Sequence, residues 1–141
     1  MIARLAGGPP LEWGPMLVKD GRIYLPNGAW LNYTTLAYDT EWQAWKIKSR
    51  QGWVKLYGGK LVENVVQALA RVVLSQAMLR IEALGYKIAT TTHDEIVVVI
   101  DEAHLGQKHF DVCKGLMEQA PAWLPDLPLK VEGGVSERYE K

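Results

Sequence analysis

Apolar side chains recur at three- and four-residue spacing through Val62, Val65, Val66, Leu69, Val72 and Val73. That period predicts a helix with a core stripe. The helix is expected from about Lys60 to Leu84, after Gly58-Gly59 and stopped by Gly85, since glycine readily takes the left-handed conformation that closes a helix. Glu63, Gln67 and Arg71 stand four residues apart and line up along another face. The period then changes. Residues 87–92, KIATTT, and 96–100, IVVVI, read as two strands of a hairpin, and an unbroken Val/Ile run is what a strand buried on both faces shows. Between them stand His93, Asp94 and Glu95.

Upstream, DGRIYLPNGAWLNY contains two short β-rich runs joined by Pro26-Asn27-Gly28, a hairpin signal. TTLAYDTEWQAWKIKS, then WVKLY after Gly52, continues as strands and turns. Residues 1–19, with GGPP and WGP, are expected to be an extended N-terminal segment ahead of a domain over 20–141. Downstream, Asp101-Glu102 open an acidic first turn for a helix through about Gln119. APAWLPDLP breaks helix, and LKVEG is a final strand. The order predicts an α+β fold: an antiparallel sheet whose hairpin packs against a long helix and a second, C-terminal helix.

Composition narrows the class. Hydrophobic residues are 48% and charged residues 23% of 141, ordinary for a soluble single domain. No apolar run is long enough to span a membrane, and the start has no secretory core. One cysteine, Cys113, excludes an internal disulfide and suits a reduced, cytoplasmic setting. The net charge of zero hides a split: +4 over residues 1–62 and −4 over 63–141. Lys46, Lys48, Arg50, Lys55 and Lys60 are interleaved with Trp45, Trp53 and Tyr57 and contain no acid among them. Such a mixture suits a phosphate backbone; a solvated hairpin with packed tryptophans is the plainer reading, and composition by itself favours it.

At the rim of a packed hairpin, Asp94 and Glu95 are adjacent oxygen donors of the kind Mg²⁺ prefers. One such pair is half of a two-metal site. A polar turn kept for solvation would have the same residues.

The surroundings add a resemblance. TTTHDEIVVVI resembles motif C of family A DNA polymerases, DGRIYLPNG their Gly-Arg-x-x-x-Leu-Pro segment, YGGKLVENVVQALARVVL their long palm helix, and LPLKVEGGVSERYE their C-terminus. These four blocks stand in the family's order over residues 20–140, closest to phage-type members. The resemblance implies that Asp94 binds catalytic Mg²⁺ (or Mn²⁺ in its place), that Glu95 is its less essential neighbour, and that His93 lies near the primer-terminal backbone. It implies that Gln67 contacts the DNA minor groove, where a donor can check pairing without reading sequence. Arg71, at the same groove or a phosphate, and Lys60 are placed beside it as DNA contacts; a solvated helix face is the plainer alternative for Gln67 and Arg71. Arg22 either contacts duplex backbone or holds its hairpin, the structural role being favoured. Glu63 stands where many members have asparagine and is assigned no contact. His104 and His109 are expected at the surface, and Cys113 as a small core residue.

Motif A and the fingers helix of motif B have no counterpart here. Asp39 and Glu41 follow the Gly-Arg segment and so stand in the wrong order for motif A. The resemblance therefore covers a C-terminal palm portion, expected to be inactive alone, whose partners are primer–template DNA, dNTP and an upstream polymerase fragment, with an exposed palm surface open to homo-oligomer formation. An excised segment, a split-polymerase subunit and a prophage remnant all fit. The competing class is a non-catalytic DNA-binding or assembly module; a nuclease or other metal hydrolase comes third.

Overall fold

A computed structural model describes residues 1–101 and 106–139. The chain divides into two compact units, Met1–Val72 and Val73–Lys141.

The first unit opens with a four-residue helix α1 (Ile2–Leu5), which lies against strand β2. Strands β1 (Leu11–Trp13), β2 (Met16–Lys19), β3 (Arg22–Tyr24) and β4 (Trp30–Asn32) form an antiparallel sheet in sequence order. Of the 19 residues expected to be an extended segment, the seven of β1 and β2 are thus paired strand and the four of α1 are helix. β2 and β3 turn through Asp20 and Gly21, with φ of 51° and 69°, positive at both positions as a type I′ hairpin requires. A Cβ on Gly21 would come within 3.0 Å of the Thr34 backbone, so both conformation and space select glycine. The Asn27-Gly28 connection joins β3 to β4 as expected, Asn27 Oδ1 accepting the Ala29 N–H at 3.1 Å. A second antiparallel sheet holds β5 (Ala37–Asp39), β6 (Ala44–Ser49) and β7 (Gly52–Leu56).

Helix α2 runs over Gly58–Ala83, within two residues of its expected ends, and Gly85 past its end has φ of 86°. Its buried stripe differs from the expected one. Leu61, Val65 and Val72 are buried, whereas Val62 and Val66 are exposed. The helix has two apolar stripes about 100° apart, and a period alone does not say which one meets the core. In the first unit Leu61, Val65 and Val72 join Leu5, Met16, Val18, Ile23, Leu25, Tyr33 and Leu56 as buried side chains.

The second unit buries Leu74, Ala77 and Ile81 of α2 and contains the hairpin of β8 (Lys87–Thr92) and β9 (Glu95–Val99) and helix α3 (Gly106–Met117). The expected acidic start of that helix at Glu102, and His104, lie outside the described residues. The fold class is α+β with antiparallel sheets, but in place of one sheet the described residues form three, of four, three and two strands. Among the described residues β9 pairs only with β8. Its Ile96, Val97 and Val98 are half-buried and Val99 is 54% exposed, so the strand expected to be buried on both faces is not.

LKVEG does not form the expected strand. The Val131 N–H, which a strand would offer to a neighbour, donates to Glu118 Oε1 at 3.1 Å. Beyond it the chain packs on α3: Gly133 approaches the Phe110 ring, and Val135 fills the space where a side chain on Gly106 would stand. His109, expected at the surface, is half-buried, its Nδ1 2.8 Å from the Tyr86 hydroxyl and its ring set edge-on against the Tyr86 ring. Cys113 is half-buried, and burial pushes its thiol pKa up, which disfavours the thiolate a nucleophile needs.

Candidate active site

The β8–β9 hairpin holds the ionisable triplet at its tip. Thr92 pairs with Glu95, so His93 and Asp94 are the two turn residues. His93 has φ of 54°, and Asp94 does not share the positive sign. Positive φ at the first turn position alone is the pattern that normally selects glycine there. A left-handed histidine is uncommon, and strained residues of this kind cluster at functional sites.

The strands fix how the triplet is presented. Alternation along β9 puts Glu95, Val97 and Val99 on one face and Ile96 and Val98 on the other. On β8 a bulge between Ile88 and Thr90 inserts one extra residue. Without it Ile88 and Thr91 would face opposite sides; with it they stand opposite Val98 and Ile96, on the same face. Ile88, Ile96 and Val98 are thereby brought to one side with Thr91, and the Glu95 side carries Thr90 and Thr92 opposite Val97 and Glu95.

All three residues of the triplet are exposed. Glu95 Oε2 accepts a hydrogen bond from the Tyr139 hydroxyl at 3.0 Å. Tyr139 also bonds Thr92, and its pKa is raised chiefly by the hydrogen bond to the Glu95 carboxylate. The sequence offered no signal for this contact, because it depends on where the tail runs along α3. Asp94 has no hydrogen-bond or ion-pair partner among the described residues. Two adjacent carboxylates, one engaged by a neutral hydroxyl and one open, fit a site that shares its cation with substrate oxygens and water. Among the described residues no group of three or more His, Cys, Asp or Glu side chains gathers to hold a metal ion alone.

The residues expected to touch DNA lie in the first unit. On α2, Lys60 Nζ is 3.0 Å from both Glu63 carboxylate oxygens, and Gln67 Nε2 stands 3.4 Å from Glu63 Oε1. Glu63, unassigned from sequence, therefore ties Lys60 to Gln67. Exposed pairs of this kind contribute about 0–1 kcal/mol, so the tie is easily exchanged for another partner. Arg71 is exposed one helical turn beyond Gln67. Gln67 also borders an open groove of about 470 Å³ with Asn32, Ile47 and Asn64; there the Asn64 amide donates to the Tyr33 hydroxyl at 3.0 Å. Arg22 is half-buried, its guanidinium 5.8 Å from the Trp30 ring centroid, a packing contact that holds β3 to β4.

Of the two carboxylates in the wrong order, Asp39 has a structural use. Asp39 Oδ1 accepts the backbone N–H groups of Glu41 and Trp42, and Oδ2 pairs with Lys46. The Lys46 ammonium, followed by the Trp42 N–H, holds the Asp39 carboxyl below its ordinary range.

No family model matches the chain, and no solved structure matches it significantly. Among curated proteins, a DNA polymerase of Bacillus phage SP02 is 38% identical over 97 residues, 68% of this chain. Those residues span 14% of the relative's length, so the chain is similar to one portion of a phage DNA polymerase.

Proposed function

We propose that the chain is the C-terminal palm portion of a family A DNA-directed DNA polymerase and that His93, Asp94 and Glu95 are its motif C. The observation that carries this reading is the hairpin tip: two adjacent exposed carboxylates on a two-residue turn whose first member is a left-handed histidine. The 38% identity to a phage DNA polymerase supports the same assignment. In template-dependent nucleotidyl transfer, Asp94 would hold Mg²⁺, with Glu95 as the secondary ligand because Tyr139 already occupies one of its oxygens. The metal, when bound, lowers the pKa of the attacking hydroxyl and stabilises charge on the transferred phosphoryl group. His93, beside Asp94 on the turn, faces the primer-terminal backbone. Gln67 donates to minor-groove acceptors, Lys60 and Arg71 meet phosphates, and Arg22 braces its hairpin. Primer–template DNA and dNTP are the partners, with motifs A and B supplied from an upstream portion of the polymerase in the cytoplasm.

A titration of the ¹⁵N-labelled chain with Mn²⁺ tests the site. Amide signals of Asp94 and Glu95 are expected to broaden first, and Asp94→Asn to abolish that selectivity. Broadening spread evenly over acidic surface residues, or unchanged by Asp94→Asn, would remove the metal assignment.

A non-catalytic DNA-binding module is the second reading, favoured by the basic and aromatic face of the β5–β6–β7 sheet.

A further inference from the structure

The three-stranded sheet has two unlike faces, and its register sorts them. Tyr38, Trp45, Ile47, Val54 and Leu56 share one face, with Tyr38 packed edge-on against Trp45 and Leu56 buried. The other face carries Lys46 opposite Lys55 and Lys48 opposite Trp53. Two lysines directly across a strand pair repel each other, and this sheet offsets the repulsion with aromatic rings and one acid. The Trp42 ring lies 5.8 Å from Lys46 Nζ and 5.5 Å from Lys55 Nζ, and the Trp53 ring lies 4.8 Å from Lys46 Nζ. Asp39 neutralises Lys46 alone. Lys48 and Lys55 have no acidic partner among the described residues, and the chain holds no acid from Trp42 to Lys60.

Trp42 and Trp53 are 44% and 46% exposed. Two half-exposed indoles on a charged face are poorly used as core. Trp42 on the β5–β6 turn and Trp53 on β7 each have a lysine ammonium 4.8–5.8 Å from the ring centroid, which sets stacking surfaces beside phosphate-binding cations, the combination that holds single-stranded nucleic acid without reading its sequence. A duplex hides its base faces and would engage only the lysines. Charge complementarity and the two available rings therefore favour a single strand over a duplex or an acidic protein.

We infer that the Lys46–Lys48–Lys55 face, with Trp42 and Trp53, is a single-stranded-DNA-binding platform. The inference does not depend on the His93–Glu95 site. Binding of a fluorescein-labelled (dT)₁₅ to the full chain, followed by anisotropy and by quenching of tryptophan emission, tests it. The expected results are tighter binding of (dT)₁₅ than of a 15-base-pair duplex, with quenching, and a loss of about tenfold in Trp53→Ala that Trp53→Phe largely restores. Lys48→Gln with Lys55→Gln should lower the slope of log affinity against log salt by about 1.4, the share of two single-strand phosphates. Absence of (dT)₁₅ binding at low salt, equal or tighter binding of the duplex, or affinity unmoved by Trp53→Ala would overturn the proposal. Should circular dichroism show Trp53→Ala to be unfolded, the double lysine variant decides: an unchanged salt slope overturns it.

Discussion

His93 is the residue at which local conformation and chemistry pull apart. Its φ of 54° is a backbone state that costs an L-residue about 1–2 kcal/mol, and glycine would adopt it freely. Glycine also has more freedom to lose on folding, worth roughly 0.5–1 kcal/mol. The difference leaves His93→Gly more stable by up to about 1.5 kcal/mol, measurable as a raised midpoint in denaturant. A destabilised variant would show that the imidazole makes compensating contacts. The ionisable triplet itself was legible in the sequence, because strand signals flank it so closely. Its left-handed first residue was not, since His-Asp carries no turn signal as strong as the Asp20-Gly21 pair. Tyr139 was equally illegible: its contact with Glu95 depends on the path of a tail that forms no strand and whose Val131 N–H goes to Glu118.

At the scale of elements, periodicity located α2 and the β8–β9 hairpin closely but misjudged what covers them. Val62 and Val66 are as apolar as Leu61 and Val65, so helical spacing alone could not rank the two stripes. The Val/Ile content of β9 implied two covered faces, whereas among the described residues β8 is its only strand neighbour. An apolar strand left half-covered is what a portion of a larger sheet would present. The β5–β6 turn makes the opposite case, since its stability rests on one side chain. Asp39 caps two backbone N–H groups and pairs with Lys46. Its pKa is lower folded than unfolded, so its contribution is fully present above the unfolded aspartate value of about 4 and is lost as pH falls through the lowered folded value. Tryptophan emission from Trp42, Trp45 and Trp53 should therefore shift between about pH 4 and the acid limit. Asp39→Asn, which cannot ionise, should remove that component of the shift; an identical profile in the variant would assign the acid transition to other carboxylates.

For the molecule as a whole, the question is how much of a catalytic centre this chain can assemble. Transfer by two metals needs carboxylates that bridge both ions. Asp94 and Glu95 are one adjacent pair on one turn. Asp39, at the end of β5, is committed to Lys46 and two backbone amides and cannot leave them without opening its own hairpin. The matched segment spans 14% of the phage polymerase's length, which leaves most of that relative without a counterpart here. The expected outcome is that the purified chain, given Mg²⁺, dNTPs and a primer–template, extends no primer. Joining it to the upstream portion of the phage relative should restore template-dependent extension, and Asp94→Ala in that joined protein should abolish it while DNA affinity changes by less than about threefold. Gel analysis of a labelled primer reads all three cases. Extension by the chain alone would mean that the Asp94–Glu95 turn recruits its missing ligands from a second copy or from the nucleotide itself. Failure of the joined protein, with DNA binding intact, would place the hairpin in a module that keeps the fold and the strand-binding face without the chemistry.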